Sequence, residues 1–296
     1  MRQRGLRRWG PGLLLISPSI VAIAIFVYGL IFWTARTSIS DRTSALPATR
    51  TVGLANFTKL FGEDRFIHSL RDLLIMTVVF MVGTMFFGLL WALLLEKGVK
   101  GEGFFRSIYL FPMAVSFIAS GVVWRWLLNS ATGERASGLN RLFQSVGLGS
   151  LQNTWWANPK WGMAAMAVPA IWQLSGYVMA LFLAGFRGIP PELREAARID
   201  GCTEFKLYRY VIFPQLSPIA LSALIILGHM SMKMFDLIMA VSGAQYLTEV
   251  PAVYMWTTLL GSNYAKAAAI AIVLLVVVAV VVVPYLVYNS RVEKRS

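Results

Sequence analysis

Residues 70–95 read LRDLLIMTVVFMVGTMFFGLLWALLL, with Arg71 and Asp72 at the start and no charge from Leu73 to Leu95. A helix needs about 20 mostly apolar residues to cross a hydrocarbon core roughly 30 Å thick, so this run alone predicts a membrane span. Five more windows behave alike: Gly12–Thr34, Phe104–Leu128, Trp161–Phe186, Leu216–Val241 and Tyr264–Tyr288. The expected fold is all-α and integral to the membrane, with six transmembrane helices, because backbone groups in lipid must be satisfied within the segment. Arg2, Arg4, Arg7 and Arg8 before the first window resemble a signal-peptide start. The apolar stretch that follows is too long for one and lacks a small-x-small cleavage site, so an uncleaved first span is expected.

Composition agrees. Of 296 residues, 57% are hydrophobic and 14% charged, with mean hydropathy +0.64. Soluble domains run about 45–50% apolar and about 25% charged. A water-soluble globule, a disordered chain, collagen and a coiled coil are excluded together. The single cysteine, Cys202, excludes a disulfide framework and a multi-cysteine metal centre, and two histidines, His68 and His229, make a histidine cage unexpected. No metal site and no catalytic residues are expected. The net charge of +13 comes from basic residues scattered beside apolar blocks rather than along one stripe, which fits cationic membrane edges better than a nucleic-acid partner.

Lysine and arginine also predict orientation. With both termini cytoplasmic, the inner side carries Arg2, Arg4, Arg7, Arg8, Lys97, Lys100, Arg106, Arg187, Arg194, Arg198, Lys206, Arg209, Arg291, Lys294 and Arg295 in short segments. The outer side then carries its basic residues over the longer loops Ala35–Ser69 and Asn129–Lys160, and Trp33, Trp155, Trp156 and Trp161 fall near the outer interface.

The loop over residues 187–215, between the fourth and fifth windows, reads as two short helices. Pro190 and Pro191 suit a helix start, Glu192 and Glu195 favour its early turns, and Leu193, Ala196 and Ala197 form a small apolar face. Gly201 stops this helix; Thr203 caps a second one through Tyr210, which Pro214 is expected to end. Physically this is either a compact element shaped for a protein partner or an amphipathic loop lying on headgroups.

The succession Glu195-Ala196-Ala197, Asp200-Gly201 and Phe213-Pro214 is similar to the EAA signature of bacterial ABC-importer membrane subunits. Gly103-Phe104-Phe105-Arg106 through Pro112, Trp124-Arg125-Trp126, Ile189-Pro190-Pro191-Glu192-Leu193 and Phe235-Asp236-Leu237-Ile238 extend the match. Together they resemble the carbohydrate branch, the family of the maltose-type first permease subunit, from about Asn56 to the C-terminus. The sequence departs from that pattern at Cys202, where alanine is usual, and at Ser242-Gly243-Ala244-Gln245, where Gly-Gly-Pro is common. The large extra periplasmic domain of the enterobacterial maltose subunit is also missing.

The resemblance implies a type I ABC importer transmembrane domain spanning residues 1–296 in a bacterial inner membrane. It implies a second homologous permease, two ATPase subunits, an extracytoplasmic solute-binding protein and a sugar substrate, with lipid around the spans. This chain has no Gly-x-x-x-x-Gly-Lys-Ser/Thr; Gly98, Gly101 and Gly103 lack that order, so ATP and Mg are expected on the partner ATPases and no cofactor here. Glu195, Ala196, Ala197, Asp200 and Gly201 are the expected coupling residues. Gln173, Leu174, Tyr177, Leu227, Ser231 and Met234 match sugar-lining positions of the maltose-type subunit, and interhelical hydrogen bonding is the competing role for the polar ones. Lys233 and Asp236, three apart, are expected to pair, and His229 to face a neighbouring helix as a satisfied polar group. An alternative solute is a glycerol-phosphate compound. An ion-driven transporter or a membrane-embedded enzyme would need intramembrane carboxylates or convergent acid–base groups that the windows do not show.

Overall fold

The computed structural model describes residues 4–44, 48 and 50–293. Arg2, Lys294 and Arg295, counted in the charge balance, lie outside the described residues, as do the side chains of Arg4, Arg7, Arg8 and Arg291. Among the described residues the chain is almost wholly helical. Helix α1 covers residues 4–38 with a π turn at Ala24–Gly29, α2 is Ala55–Phe61, α3 Asp64–Glu96, α4 Glu102–Ala114, α5 Phe117–Leu127 and α6 Gly138–Ser145. The series continues with α7 Gly162–Gly188, α8 Pro191–Ile199, α9 Glu204–Ser231, α10 Phe235–Val241, α11 Pro251–Leu260 and α12 Tyr264–Glu293. Among the described residues five helices are long and apolar enough to cross a membrane, or six if the bent α4–α5 pair is one span.

The chain forms two compact units, residues 1–63 with 255–275 and residues 64–254 with 276–296. In the first, Asn56 Nδ2 donates to the Ser38 and Ser40 carbonyls, both at 2.8 Å, closing the chain that leaves α1. The start of α12 is tied to the same loop: Ala265 N donates to Arg42 O at 2.9 Å, Arg42 stacks over the Tyr264 ring, and Lys266 pairs with Glu63 at 2.5 Å.

The second unit is built on α3 packed against α7. A Cβ placed at Gly88 would lie 2.5 Å from Val178 Cγ1, and one at Gly176 would collide with the Tyr109 carbonyl. Small residues in facing spans let backbones approach, which is how helices associate where lipid supplies no hydrophobic drive. Helix α10 packs on α5, with Ala240 against Gly121. Beyond the spans, the segment over residues 129–160 is organised by fully buried Asn140. Its Nδ2 donates to the carbonyls of Asn129, Ala131 and Asn153, and its Oδ1 accepts from Trp155 Nε1.

Three expectations are corrected. The third window is not one straight helix: α4 and α5 meet at 97°. Pro112 supplies no N–H, Val115 is extended, and the Ser116 hydroxyl restarts the helix by accepting from Ala119 N at 3.2 Å. The fifth window begins earlier and ends sooner, because α9 runs from Glu204 to Ser231 and a turn at residues 232–234 separates it from α10. Pro214 therefore does not end the second short helix. A π turn at Tyr208–Ile212 precedes it and absorbs the missing donor, so the helix continues into the span.

Candidate functional site

Helix α8 and the turn after it form a hydrogen-bonded knuckle. Pro191 occupies the first turn, as expected, and the helix closes through Asp200 N to Ala196 O at 2.9 Å and Cys202 N to Ala197 O at 3.0 Å. Gly201 adopts φ +76°, the left-handed conformation glycine takes without strain. Thr203 caps α9 by accepting from Lys206 N, and Arg198 bridges the turn to Glu204 at 3.0 Å.

The knuckle has two faces. Ala197 is buried against the body of the protein, whereas Glu195, Ala196, Asp200 and Gly201 are exposed. Of the five residues singled out for coupling, four thus form an open surface and one seats it. Ile199 is 85% exposed beside them, an apolar group the helix alone does not cover.

The inner attachment comes from residues that sequence reasoning passed over. The Glu96 side chain, 6% exposed at the end of α3, pairs with Arg194 Nη1 of α8 at 2.5 Å. Its other oxygen accepts from Tyr208 Oη in the π turn of α9 at 2.6 Å. Arg194 also donates to the Phe186 carbonyl at the end of α7, at 3.2 Å. One buried carboxylate therefore joins α3, α8 and α9, and Arg194 adds α7. The Tyr208 hydrogen bond has a charged acceptor and the Arg194 contact is an ion pair, so both hold more strongly than neutral contacts and fasten the knuckle to the ends of the spans. A glutamate closing a long apolar run was the available signal, but its partners lie in other helices.

The six pathway candidates do not form one open cluster. Gln173, Leu174, Leu227, Ser231 and Met234 are buried, and Tyr177 is half-buried. Gln173 Nε2 donates to the Val115 carbonyl at the α4–α5 break, while its Oε1 has no hydrogen-bond partner among the described residues. The Ser231 hydroxyl reaches Gly228 O at 2.8 Å and Thr77 Oγ1 of α3 at 2.9 Å. Met234 lines a cleft of about 290 Å³ together with Phe117, His229, Lys233 and Asp236. Lys233 and Asp236 do not pair among the described residues, because the turn at 232–234 removes the helical register that would bring them together. His229 Nδ1 is buried without a hydrogen-bond partner among the described residues, contrary to the satisfied role expected of it.

Comparison with known proteins identifies this architecture. Residues 84–295 match the family of binding-protein-dependent transport system inner membrane components. A probable ABC transporter permease protein of Pyrococcus horikoshii is 38% identical, the match covering 96% of this chain and 97% of that one. The xylose/arabinose import permease protein of Haloferax volcanii is 31% identical, over 90% of this chain and 84% of its own length. Among solved structures, a bacterial alginate ABC transporter in complex with alginate pentasaccharide-bound periplasmic protein superposes with TM-score 0.79 at 22% identity, covering 95% of this chain. The chain belongs to the binding-protein-dependent transport system inner membrane component family and is an ABC importer permease with the type I fold.

Proposed function

We propose that this permease carries a sugar, forming half of a translocation path whose other half is a second permease of the same family. The observation that carries the coupling part of this reading is the knuckle: an exposed face of Glu195, Ala196, Asp200 and Gly201 fixed to three spans through Glu96 and Arg194. ATP and Mg are held by two separate ATPase subunits, one of which grips that face. Their closure moves the knuckle, and the buried Glu96–Arg194–Tyr208 junction passes the movement to α3, α7 and α9 as rigid-body displacement. The chain itself performs no chemistry.

The sugar assignment draws support from the relative named for xylose and arabinose import. An extracytoplasmic binding protein delivers the solute. Gln173, Tyr177 and Ser231 supply hydrogen-bond groups along the path, with Leu174, Leu227 and Met234 as its apolar walls. In this reading residues 1–296 work as one transport domain with both termini cytoplasmic, as the distribution of lysine and arginine supports.

The test is reconstitution of the chain with its ATPases, second permease and binding protein in proteoliposomes, using labelled pentoses and hexoses. Uptake should require ATP and the binding protein together. Uptake by this chain alone without ATP would overturn the reading, and ATP-driven uptake that no sugar supports would overturn its substrate class.

A further inference from the structure

Beside the knuckle, on the face of α3 away from its contact with α7, a groove of about 480 Å³ opens between α3 and the start of α9. One wall carries Leu90, Leu93, Leu94 and Lys97, spaced so that all four share a helical face. The other carries Phe213 on the span side, then Arg209, with Phe205 at the lip. Apolar side chains therefore line the part that lies against the spans, and two cations stand where the apolar runs stop. That is the polarity profile of a phospholipid, an acyl chain followed by a phosphate.

The nearby acids do not cancel these charges. Glu204, which also lines the groove, is paired with Arg198, and Glu96 behind it is taken by Arg194 and Tyr208. Neither Lys97 nor Arg209 has an acidic partner among the described residues; Arg209 only stacks on Tyr210, 5.7 Å from its ring centre. Leu94 and Phe205 are 54% and 72% exposed, so the groove is open for an occupant. Basic pockets between spans at the membrane edge suit anionic headgroups.

We propose that the groove between α3 and α9 binds an anionic phospholipid, its chain along Leu90, Leu93 and Phe213 and its phosphate between Lys97 and Arg209. The occupied groove packs against Tyr208, and so braces the junction that holds the knuckle. This proposal depends on the chain's membrane location and not on which solute is carried.

The experiment is native mass spectrometry of the assembled importer with phosphatidylglycerol and phosphatidylcholine of identical chains at equal mole fraction. The wild type should retain phosphatidylglycerol about fivefold or more over phosphatidylcholine, the preference two cations near a headgroup provide. Lys97→Gln with Arg209→Gln should bring that ratio close to one, while Lys97→Arg with Arg209→Lys should keep it. An unchanged ratio in the glutamine variant, or an equal loss in the conservative one, would overturn the proposal. Displacement of the lipid by millimolar inorganic phosphate would also overturn it, marking a soluble-anion site. So would a photoreactive residue at Leu94 that captures an ATPase subunit or the chain's own N-terminal segment instead of lipid.

Discussion

Gly201 sits at φ +76° with open space around the position a Cβ would take, so the constraint there is backbone conformation and not crowding. A β-branched residue in that conformation costs about 1–2 kcal/mol, whereas asparagine tolerates it. Gly201→Val should therefore lower solute transported per ATP hydrolysed several-fold while the protein still inserts, and Gly201→Asn should stay near wild type. Parallel uptake and phosphate-release measurements give that ratio. Glu96 poses a different problem, because its carboxylate is nearly inaccessible and Arg194 is only 22% exposed. Breaking such a pair by neutralising one side costs about 3 kcal/mol, mostly from the charge left behind. Glu96→Gln should lower thermal stability and weaken coupling. Adding Arg194→Leu should then cost little more, since the stranded cation goes with it. A double-mutant cycle on unfolding in detergent measures this, and additive losses would contradict the shared junction.

At the scale of elements, the break between α4 and α5 is held from another helix. Val115 presents its carbonyl to Gln173 across the bundle, a contact no local pattern contains. Gln173→Leu removes that donor from a half-buried carbonyl, a penalty of about 1 kcal/mol. Amide exchange over residues 112–119 should speed up accordingly. If Gln173 also meets the solute, the same variant raises the uptake KM; a raised KM with unchanged exchange would assign it to solute alone. The π turn before Pro214 shows the opposite balance. Proline there was expected to stop a helix, yet one wider turn accommodated the missing donor, and α9 enters the span without interruption.

Across the whole molecule, long-range pairs decide which ends of the spans stay together within each unit. Arg65 at the start of α3 grips Glu249, just before α11, through two bonds of 2.6 and 2.7 Å. Glu249 is 1% exposed and Arg65 46% exposed, so the two ends of this pair are not equivalent. Arg65→Met buries a lone carboxylate and should cost about 3–5 kcal/mol, whereas Glu249→Gln leaves an arginine that reaches water and should cost about 1 kcal/mol. Thermal unfolding of the two variants would show the asymmetry, and equal losses would refute it.

The membrane class, the approximate spans and the knuckle were legible in the amino-acid order. Apolar run length is a one-dimensional property, and the cues at Pro191, Gly201 and Thr203 act within a few residues of themselves. Element boundaries were less legible at Pro112 and Pro214, because a proline can end a helix, kink it or be absorbed by a wider turn, and neighbouring elements choose among these. Glu96 could not be recognised as the anchor, nor Ser231 as a partner of Thr77, since each contact joins residues far apart in sequence. The three-residue spacing of Lys233 and Asp236 pairs them only on a continuous helix, and the turn at residues 232–234 interrupts it. Local chemistry thus set where helices could form and where the exposed knuckle would turn. Only tertiary packing decided which polar groups were already satisfied within the bundle and which stayed open to a partner, because in a low-dielectric interior each buried group must be matched by whatever the fold places beside it.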